Sequence, residues 1–350
     1  MRVLVTGHKG YIGTKLVPLL LARDHQVLGL DSDLFRDCTF LGSVPDVASI
    51  TQDIRDVEGA ELEEVDAVIH LAGLSNDPLG DYDPRLTEEI NAKASIRLAK
   101  LAKKAGVNRF LFASSCSNYG AAGNDFLTEE APFNPVTPYG LSKVRVEKAL
   151  LSLADDTFSP SFLRASTAYG MSPRIRFDLV LNNLTAWAFT TGQVYLKSDG
   201  TPWRPVVHVE DIARAYVAVL ESPRPVVHNA AFNVGVTTEN YQIKELAKIV
   251  QDVVPNCHIE FAPNAGPDTR CYRVDCNRIA RTLHGFKPQW TARRGVEELY
   301  DAYSCAGLTL EDFEGARFKR IAHVRKLITD HQLDHTLRWL EHINASPIAV

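Results

Sequence analysis

The run Arg2-Val3-Leu4-Val5-Thr6-Gly7-His8-Lys9-Gly10-Tyr11-Ile12-Gly13 sets the architecture of this chain. Its first five residues have the apolar character of a short strand. After Gly13 a helical pattern follows, with Leu16, Val17, Leu19 and Leu20 apolar. A strand, a glycine-rich turn and a helix form the first half of a βαβ unit. Glycines let the backbone turn tightly and approach a pyrophosphate, which sits at the positive end of the helix. The spacing is G-x-x-G-x-x-G, not the more familiar G-x-G-x-x-G, so context has to support it. A second strand over residues 26–30 ends in Asp31, 18 residues past Gly13. An acid there binds the adenosine ribose hydroxyls and repels a 2′-phosphate, which favours NAD over NADP. The competing reading of Asp31 is a turn residue within Asp31-Ser32-Asp33. Pro18 is expected to kink the first helix or to cost it a hydrogen bond.

The alternation continues along the chain. Strands are expected at 49–52, followed by Asp53-Ile54, and at 67–71, followed by Ala72-Gly73-Leu74-Ser75-Asn76-Asp77. A long helix is expected over 84–105, then a strand over 109–113 that opens into Ser114-Ser115-Cys116-Ser117. A sixth strand covers 161–164. Strands alternating with helices imply an α/β protein with a Rossmann-type doubly wound parallel sheet. Ligands of such sheets gather at the carboxyl ends of the strands. The glycine turn, Asp31, Ala72-Gly73 and Ser115 all follow strands, so they converge on one edge. Residues 1–168 read as the dinucleotide-binding domain, with strands returning from about 206–236. Residues 169–350 read mainly as a smaller, interleaved substrate lobe and a helical C-terminal tail. Within it, helices are expected over 177–191 and 209–220, the latter capped in the Asp211 region.

Composition excludes several classes. The 350 residues are 45% hydrophobic and 23% charged, an ordinary globular mix with ample material for a core. The formal charge is -5 and no Lys/Arg block stands out, so a nucleic-acid partner is not expected. The longest apolar runs, such as residues 16–22, are too short to cross a bilayer. The chain begins directly on a strand, which leaves no room for a signal peptide and predicts a cytoplasmic protein. The six cysteines are scattered without CxxC or Cys/His spacing, which predicts reduced thiols and no metal site.

Pro138-Tyr139-Gly140-Leu141-Ser142-Lys143 begins another helical pattern. Four residues make about one turn, so Tyr139 and Lys143 point the same way. A fixed ammonium favours the ionised form of a neighbouring phenol, which turns a tyrosine into a proton acceptor. The competing reading is a surface Tyr and Lys at a helix start.

Several motifs occur in order: Val5-Thr6-Gly7 with Gly10 and Ile12-Gly13; His70-Leu71-Ala72; Ser114-Ser115 with Tyr119-Gly120; Pro138-Tyr139-Gly140 with Ser142-Lys143; Leu163-Arg164 with Tyr169-Gly170; and Arg204 with His208-Val209 and Asp211. On these the chain resembles the extended short-chain dehydrogenase/reductases, in particular the NAD-dependent nucleotide-sugar epimerase/dehydratase family. The similarity runs to about residue 290, and the tail from about 307 lies outside it. The resemblance implies NAD as cofactor and a nucleotide-diphosphate sugar as substrate. It assigns Tyr139 as base, Lys143 as its partner and holder of the nicotinamide ribose, and Ser115 as donor to the developing oxyanion. Gly7, Gly10, Tyr11, Ile12, Gly13, Asp31, Asp53, Ile54, Leu71, Ala72 and Gly73 would line the cofactor. Ser75, Asn182 (or its neighbour Asn183), Arg204 and Arg270 would face the substrate. His208 is read as structural. Homodimers through helices at 84–105 and 138–155 are a further expectation.

The reactions of such enzymes diverge after oxidation to a 4-keto sugar. The 4,6-dehydratases carry an Asp-Glu pair directly after the catalytic hydroxyl residue, and similar decarboxylases carry a Glu at the second position. Here those positions are Cys116 and Ser117, and a hydroxyl is no general base at neutral pH. The 3,5-epimerising branches place a Cys at the position of Ser117, one residue later than Cys116. The favoured expectation is therefore 4-epimerisation. The alternatives are a dehydratase or dehydrogenase that draws acid/base groups from Ser75, Asn76, Asp77 or Tyr169, and a non-catalytic NAD(H)-binding scaffold of the same fold.

Overall fold

The computed structural model describes residues 1–75, 82–120, 125–266 and 271–340. Asn76, Asp77 and Arg270, all expected near the substrate, lie outside the described residues.

The strands are β1 (Arg2–Thr6), β2 (Gln26–Asp31), β3 (Ser49–Thr51), β4 (Ala67–His70), β5 (Arg109–Ser115), β6 (Phe126–Leu127), β7 (Ser159–Ala165), β8 (Thr167–Tyr169), β9 (Gln193–Ser198), β10 (Trp203–His208), β11 (Ala230–Val234), β12 (Asn240–Gln242), β13 (His258–Gly266) and β14 (Arg273–Val274). Seven form one parallel sheet in the order β11-β7-β5-β4-β1-β2-β3. Val3, Leu4, Val5, Val68 and Ile69 are fully buried, as strands covered on both faces require. The chain steps outward from β1 to β3, then returns to lay β4 on the other side of β1. The loops leaving β1 and β4 therefore diverge, and a crevice opens at their carboxyl ends.

Helices cover both faces. On one side α1 (Gly13–Leu21) and α5 (Val209–Glu221) pack Leu16, Val17 and Leu20 with Ile212 and Tyr216. On the other, α2 (residues 84–104) and α3 (Pro138–Leu153) pack Leu98 and Ala99 with Val146, Leu150 and Phe158. Pro18 stays inside α1, which runs on to Leu21. The expected single helix over 84–105 contains a π-helical stretch, Glu88–Ala94. Wide turns of this kind re-aim a side chain. Here Asn91 Oδ1 accepts from Leu74 N at 2.7 Å and its Nδ2 donates to Leu74 O at 2.9 Å, which pins the loop after β4.

Of the strands expected to return over 206–236, β11 joins the main sheet beside β7, while β10 pairs with β8 and β12. Helix α4 (Val180–Thr191) starts three residues later than its pattern suggested, with Leu179 extended before it and an Arg176–Asp178 ion pair in the preceding turn. Helix α5 is capped by His208, whose Nδ1 accepts from Glu210 N at 3.2 Å, and not by Asp211. The Asp211 carboxylate instead accepts from Gln289 N at 3.0 Å and Trp290 N at 3.1 Å. The lobe is completed by α6 (Ile243–Val253), α7 (Ala292–Ala306) and α8 (Arg320–Thr329). No described helix is long and apolar enough to cross a membrane.

Candidate active site

The glycine turn is built so that side chains cannot occupy it. Gly7 sits at φ 73°, and a Cβ there would stand 2.8 Å from Ala72 N. A Cβ on Gly13 would stand 2.4 Å from both Gly7 O and His8 O. The turn therefore presses against the Leu71–Ala72 backbone and leaves a cradle that a flat, backbone-hugging ligand fills. Gly7, Gly10, Tyr11, Ile12, Gly13, Asp31, Asp53, Ile54, Leu71, Ala72 and Gly73 all line this cleft. Asp31 closes its far end, with Oδ2 accepting from Lys9 N at 3.0 Å and Oδ1 from Asp33 N at 2.8 Å. Burial raises the Asp31 carboxyl above the usual range. Asp53 caps the turn Ile54–Asp56 and pairs with Arg55 at 2.6 Å. Tyr11 contributes backbone, since its hydroxyl is spent on Gly170 O at 2.7 Å. These residues fit a dinucleotide.

A larger cleft of about 1150 Å³ adjoins the first. Ser115, Tyr139 and Lys143 lie on its walls. Thr137 caps α3 by accepting from Gly140 N at 3.2 Å, and Pro138 starts the helix, which puts Tyr139 and Lys143 in its first two turns. A Cβ on Gly140 would lie 3.2 Å from Ser117 O, so the bare glycine lets α3 approach the loop that follows β5. Lys143 Nζ lies 5.4 Å from the centroid of the Tyr139 ring and 4.8 Å from that of Phe112. Burial lowers the ammonium to about 8, against the opposing pull of Glu147. Ser115 ends β5, and its Oγ accepts from Ser117 N at 3.1 Å while donating to Ser117 Oγ at 3.0 Å. Cys116 is fully buried, its thiol donating to Arg164 O at 3.2 Å and pushed up to about 12 by burial.

On the substrate side Ser75 and Arg204 line the large cleft. Asn182 does not. Its amide is wholly inside, with Oδ1 accepting from Gly170 N at 2.9 Å and Nδ2 donating to Arg176 O at 2.9 Å. The adjacent Asn183 faces the cleft instead, because the helical repeat turns its neighbour inward. His208 is packed into the structure, stacked 3.9 Å from Trp290 with Nε2 on the Glu298 carboxylate at 2.8 Å.

Two cleft residues escaped the sequence reading. Arg176 reaches both clefts, donating to Ser75 Oγ at 3.2 Å and pairing with Asp178 at 2.6 Å. Its signal was the alternation Arg174-Ile175-Arg176-Phe177-Asp178, which straddles the start of the helix expected over 177–191. Arg320 also lines both clefts, from a segment in which no local motif marks it.

The NAD dependent epimerase/dehydratase family matches residues 3–235. The UDP-glucose 4-epimerase of Bacillus subtilis (strain 168) is 28% identical over 329 residues, covering 85% of this chain and 94% of that protein. UDP-glucuronic acid decarboxylase 1 of Arabidopsis thaliana is 27% identical over 315 residues, covering 85% of this chain and 69% of that protein. Among solved structures, MoeE5 in complex with UDP-glucuronic acid and NAD aligns with a TM-score of 0.76 at 26% identity, over 87% of this chain and 100% of that one. The match takes in every strand of the main sheet and the cradle at its carboxyl edge; the chain belongs to the NAD-dependent epimerase/dehydratase family, with NAD as its cofactor.

Proposed function

We propose that the protein is a nucleotide-diphosphate-sugar epimerase that inverts C4 through a transient 4-keto sugar. One observation carries this reading. Ser115, Tyr139 and Lys143 share a cleft, while the positions after Ser115 hold a buried thiol and a hydroxyl. The carboxylates lining that cleft among the described residues are Asp178 and Glu314, and they are paired with Arg176 at 2.6 Å and Lys319 at 2.7 Å. A dehydratase needs a free acid and base beside the sugar, and these paired groups are poor candidates. Identity alone does not choose the reaction, because an epimerase and a decarboxylase stand at 28% and 27%.

Tyr139 would take the proton of the C4 hydroxyl. Lys143 supplies the positive charge that favours the phenolate, and Ser115 donates to the oxygen as the C–O bond gains double-bond character. NAD supplies the acceptor, and later the donor, of the hydride at C4. Arg204 and Asn183 would hold the diphosphate while the keto sugar turns over, a motion for which the 1150 Å³ cleft leaves room. Tyr139 would give its proton back to the C4 oxygen once the opposite face of the turned keto sugar has been reduced. No further acid or base is required.

The same reading carries a cytoplasmic homodimer. Leu141 and Leu151 on α3 are each more than two-fifths exposed, which suits a partner helix. Light scattering tests the dimer. The reaction is tested by incubating the purified protein with UDP- and GDP-sugars and separating the products. Conversion to the 4-epimer without net NADH is expected. A product that is only dehydrated or only oxidised would overturn the proposal.

A further inference from the structure

The segment beyond residue 307 lies outside the family match, yet it forms part of both clefts. It runs back along the loops that follow β2 and β3. His323 Nε2 lies 3.2 Å from Leu34 O, and Arg317 donates to Thr39 O at 3.0 Å. Arg55 Nη2 donates to Thr336 O at 2.9 Å, and Arg338 Nη2 to Asp56 Oδ1 at 3.0 Å. Trp339 Nε1 donates to Ser32 O at 2.6 Å, under the Arg36 guanidinium 3.6 Å from its ring centroid. These loops carry Asp31, Asp53 and Ile54, the adenosine end of the cofactor cleft.

Two side chains of the segment face that cleft. Leu337 is buried and held at φ 64°, a backbone conformation unusual for leucine. Arg320 stands where the two clefts meet, as Ile12 of the glycine turn does. Its guanidinium stacks 4.1 Å from the Phe35 ring centroid. Among the described residues it has no hydrogen-bond or ion-pair partner, although a guanidinium carries five N–H donors. The other cations nearby each have a carboxylate partner, Lys9 with Asp33 at 2.8 Å, Arg174 with Asp33 at 3.4 Å and Arg176 with Asp178 at 2.6 Å, although Arg174 Nε and Nη1 are buried without a hydrogen-bond partner. Burial, with the Arg176 charge beside it, lowers Arg320 to about 10 against the opposing pull of Asp178.

We propose that residues 318–339 complete the cofactor site as a strap, with Arg320 donating to the dinucleotide pyrophosphate and Leu337 covering its adenosine end. The glycine turn supplies backbone donors from one side, and Arg320 supplies a charged fork from the other. The anion at this junction would otherwise have to come from the substrate.

Arg320→Met and Arg320→Lys are compared with wild type and with Arg325→Met, an exposed control on the same helix. NAD and UDP affinities are measured separately by calorimetry, and folding by thermal melting. Arg320→Met should weaken NAD roughly thirtyfold, Arg320→Lys less, with UDP unchanged and the control silent. Leu337→Ala should speed NAD release by about tenfold, read from the return of protein fluorescence on dilution. A folded Arg320→Met with unchanged NAD affinity overturns the proposal, as does a loss confined to UDP. If that variant fails to fold, Arg320→Lys decides by the same criterion.

Discussion

Lys143 Nζ sits between two rings, 5.4 Å from the Tyr139 centroid and 4.8 Å from that of Phe112. The first contact is the one the proposed reaction uses, and the second packs an apolar ring against the same ammonium. Burial is the larger influence on this ammonium and lowers it from 10.5 to about 8. Its charge is present below that pH and is lost above it. We expect kcat/KM to fall about tenfold per pH unit on the alkaline side of about 8, since this parameter reports the free enzyme. Stability should move the opposite way. The unfolded chain binds this proton more tightly, so the penalty of burying the ammonium is full below pH 8 and relieved as pH rises toward 10.5. A pH–rate profile run beside urea melts separates the two trends. A flat rate profile through pH 8–9 would contradict the role given to Lys143.

Tyr139→Phe removes the proton acceptor and keeps the ring. Turnover should drop by about 10³-fold, with NAD affinity within a few-fold of wild type. Ser115→Ala should cost about 10²-fold, because one donor to the oxyanion is lost. The Ser115 loss should be partial, since Ser117 Oγ lies 3.0 Å away and can supply a hydroxyl to the same region. Initial rates on the identified sugar, with NAD binding measured in parallel, check both. Retained activity in Tyr139→Phe would contradict the base role given to Tyr139.

The sheet was legible because its strands are short apolar runs separated by glycine turns and helical periods. The residues that line the smaller cleft were legible for the same reason, because most of them follow strand ends. Asn182 was misplaced because a motif gives spacing but not helical phase, and one residue of phase is about 100°. Arg320 was invisible because it reaches the site from more than 300 residues beyond the glycine turn it faces. Only tertiary packing connects the two.

Glu147 and Arg164 form a buried pair behind the proposed catalytic residues, with Nε to Oε1 at 3.0 Å and Nη2 to Oε2 at 2.6 Å. Asn118 Nδ2 adds a bond to Oε1 at 3.1 Å, and Ser114 another. Removing one charge leaves the other uncompensated in the interior. Glu147→Gln should destabilise the fold by roughly 3 kcal/mol or more, measured as a lower urea midpoint. The double variant Glu147→Met/Arg164→Met should recover much of that loss. Glu147 also pulls Lys143 upward, so the single variant should shift the alkaline limb of the rate profile below pH 8. An unshifted limb would mean that Glu147 acts on folding alone.

Asp31 is the last residue whose chemistry can be tested directly. Its two oxygens already accept backbone N–H groups from Lys9 and Asp33, at 3.0 and 2.8 Å, which orients the carboxylate toward the cleft. A ribose with free hydroxyls donates to such a group, whereas a 2′-phosphate brings a second anion into a partly buried site. Asp31→Ser keeps a small hydrogen-bonding side chain and removes the charge. Beside it lie Lys9 and Arg174, both now turned to Asp33 at 2.8 and 3.4 Å, and either can accept a phosphate in its place. The variant should therefore lose about tenfold in NAD affinity and gain in NADP affinity, narrowing the preference by about 10²-fold. Calorimetric titration with each dinucleotide reads both changes. Parallel weakening of the two would show that Asp31 only shapes the glycine turn through Lys9 N and does not select the cofactor.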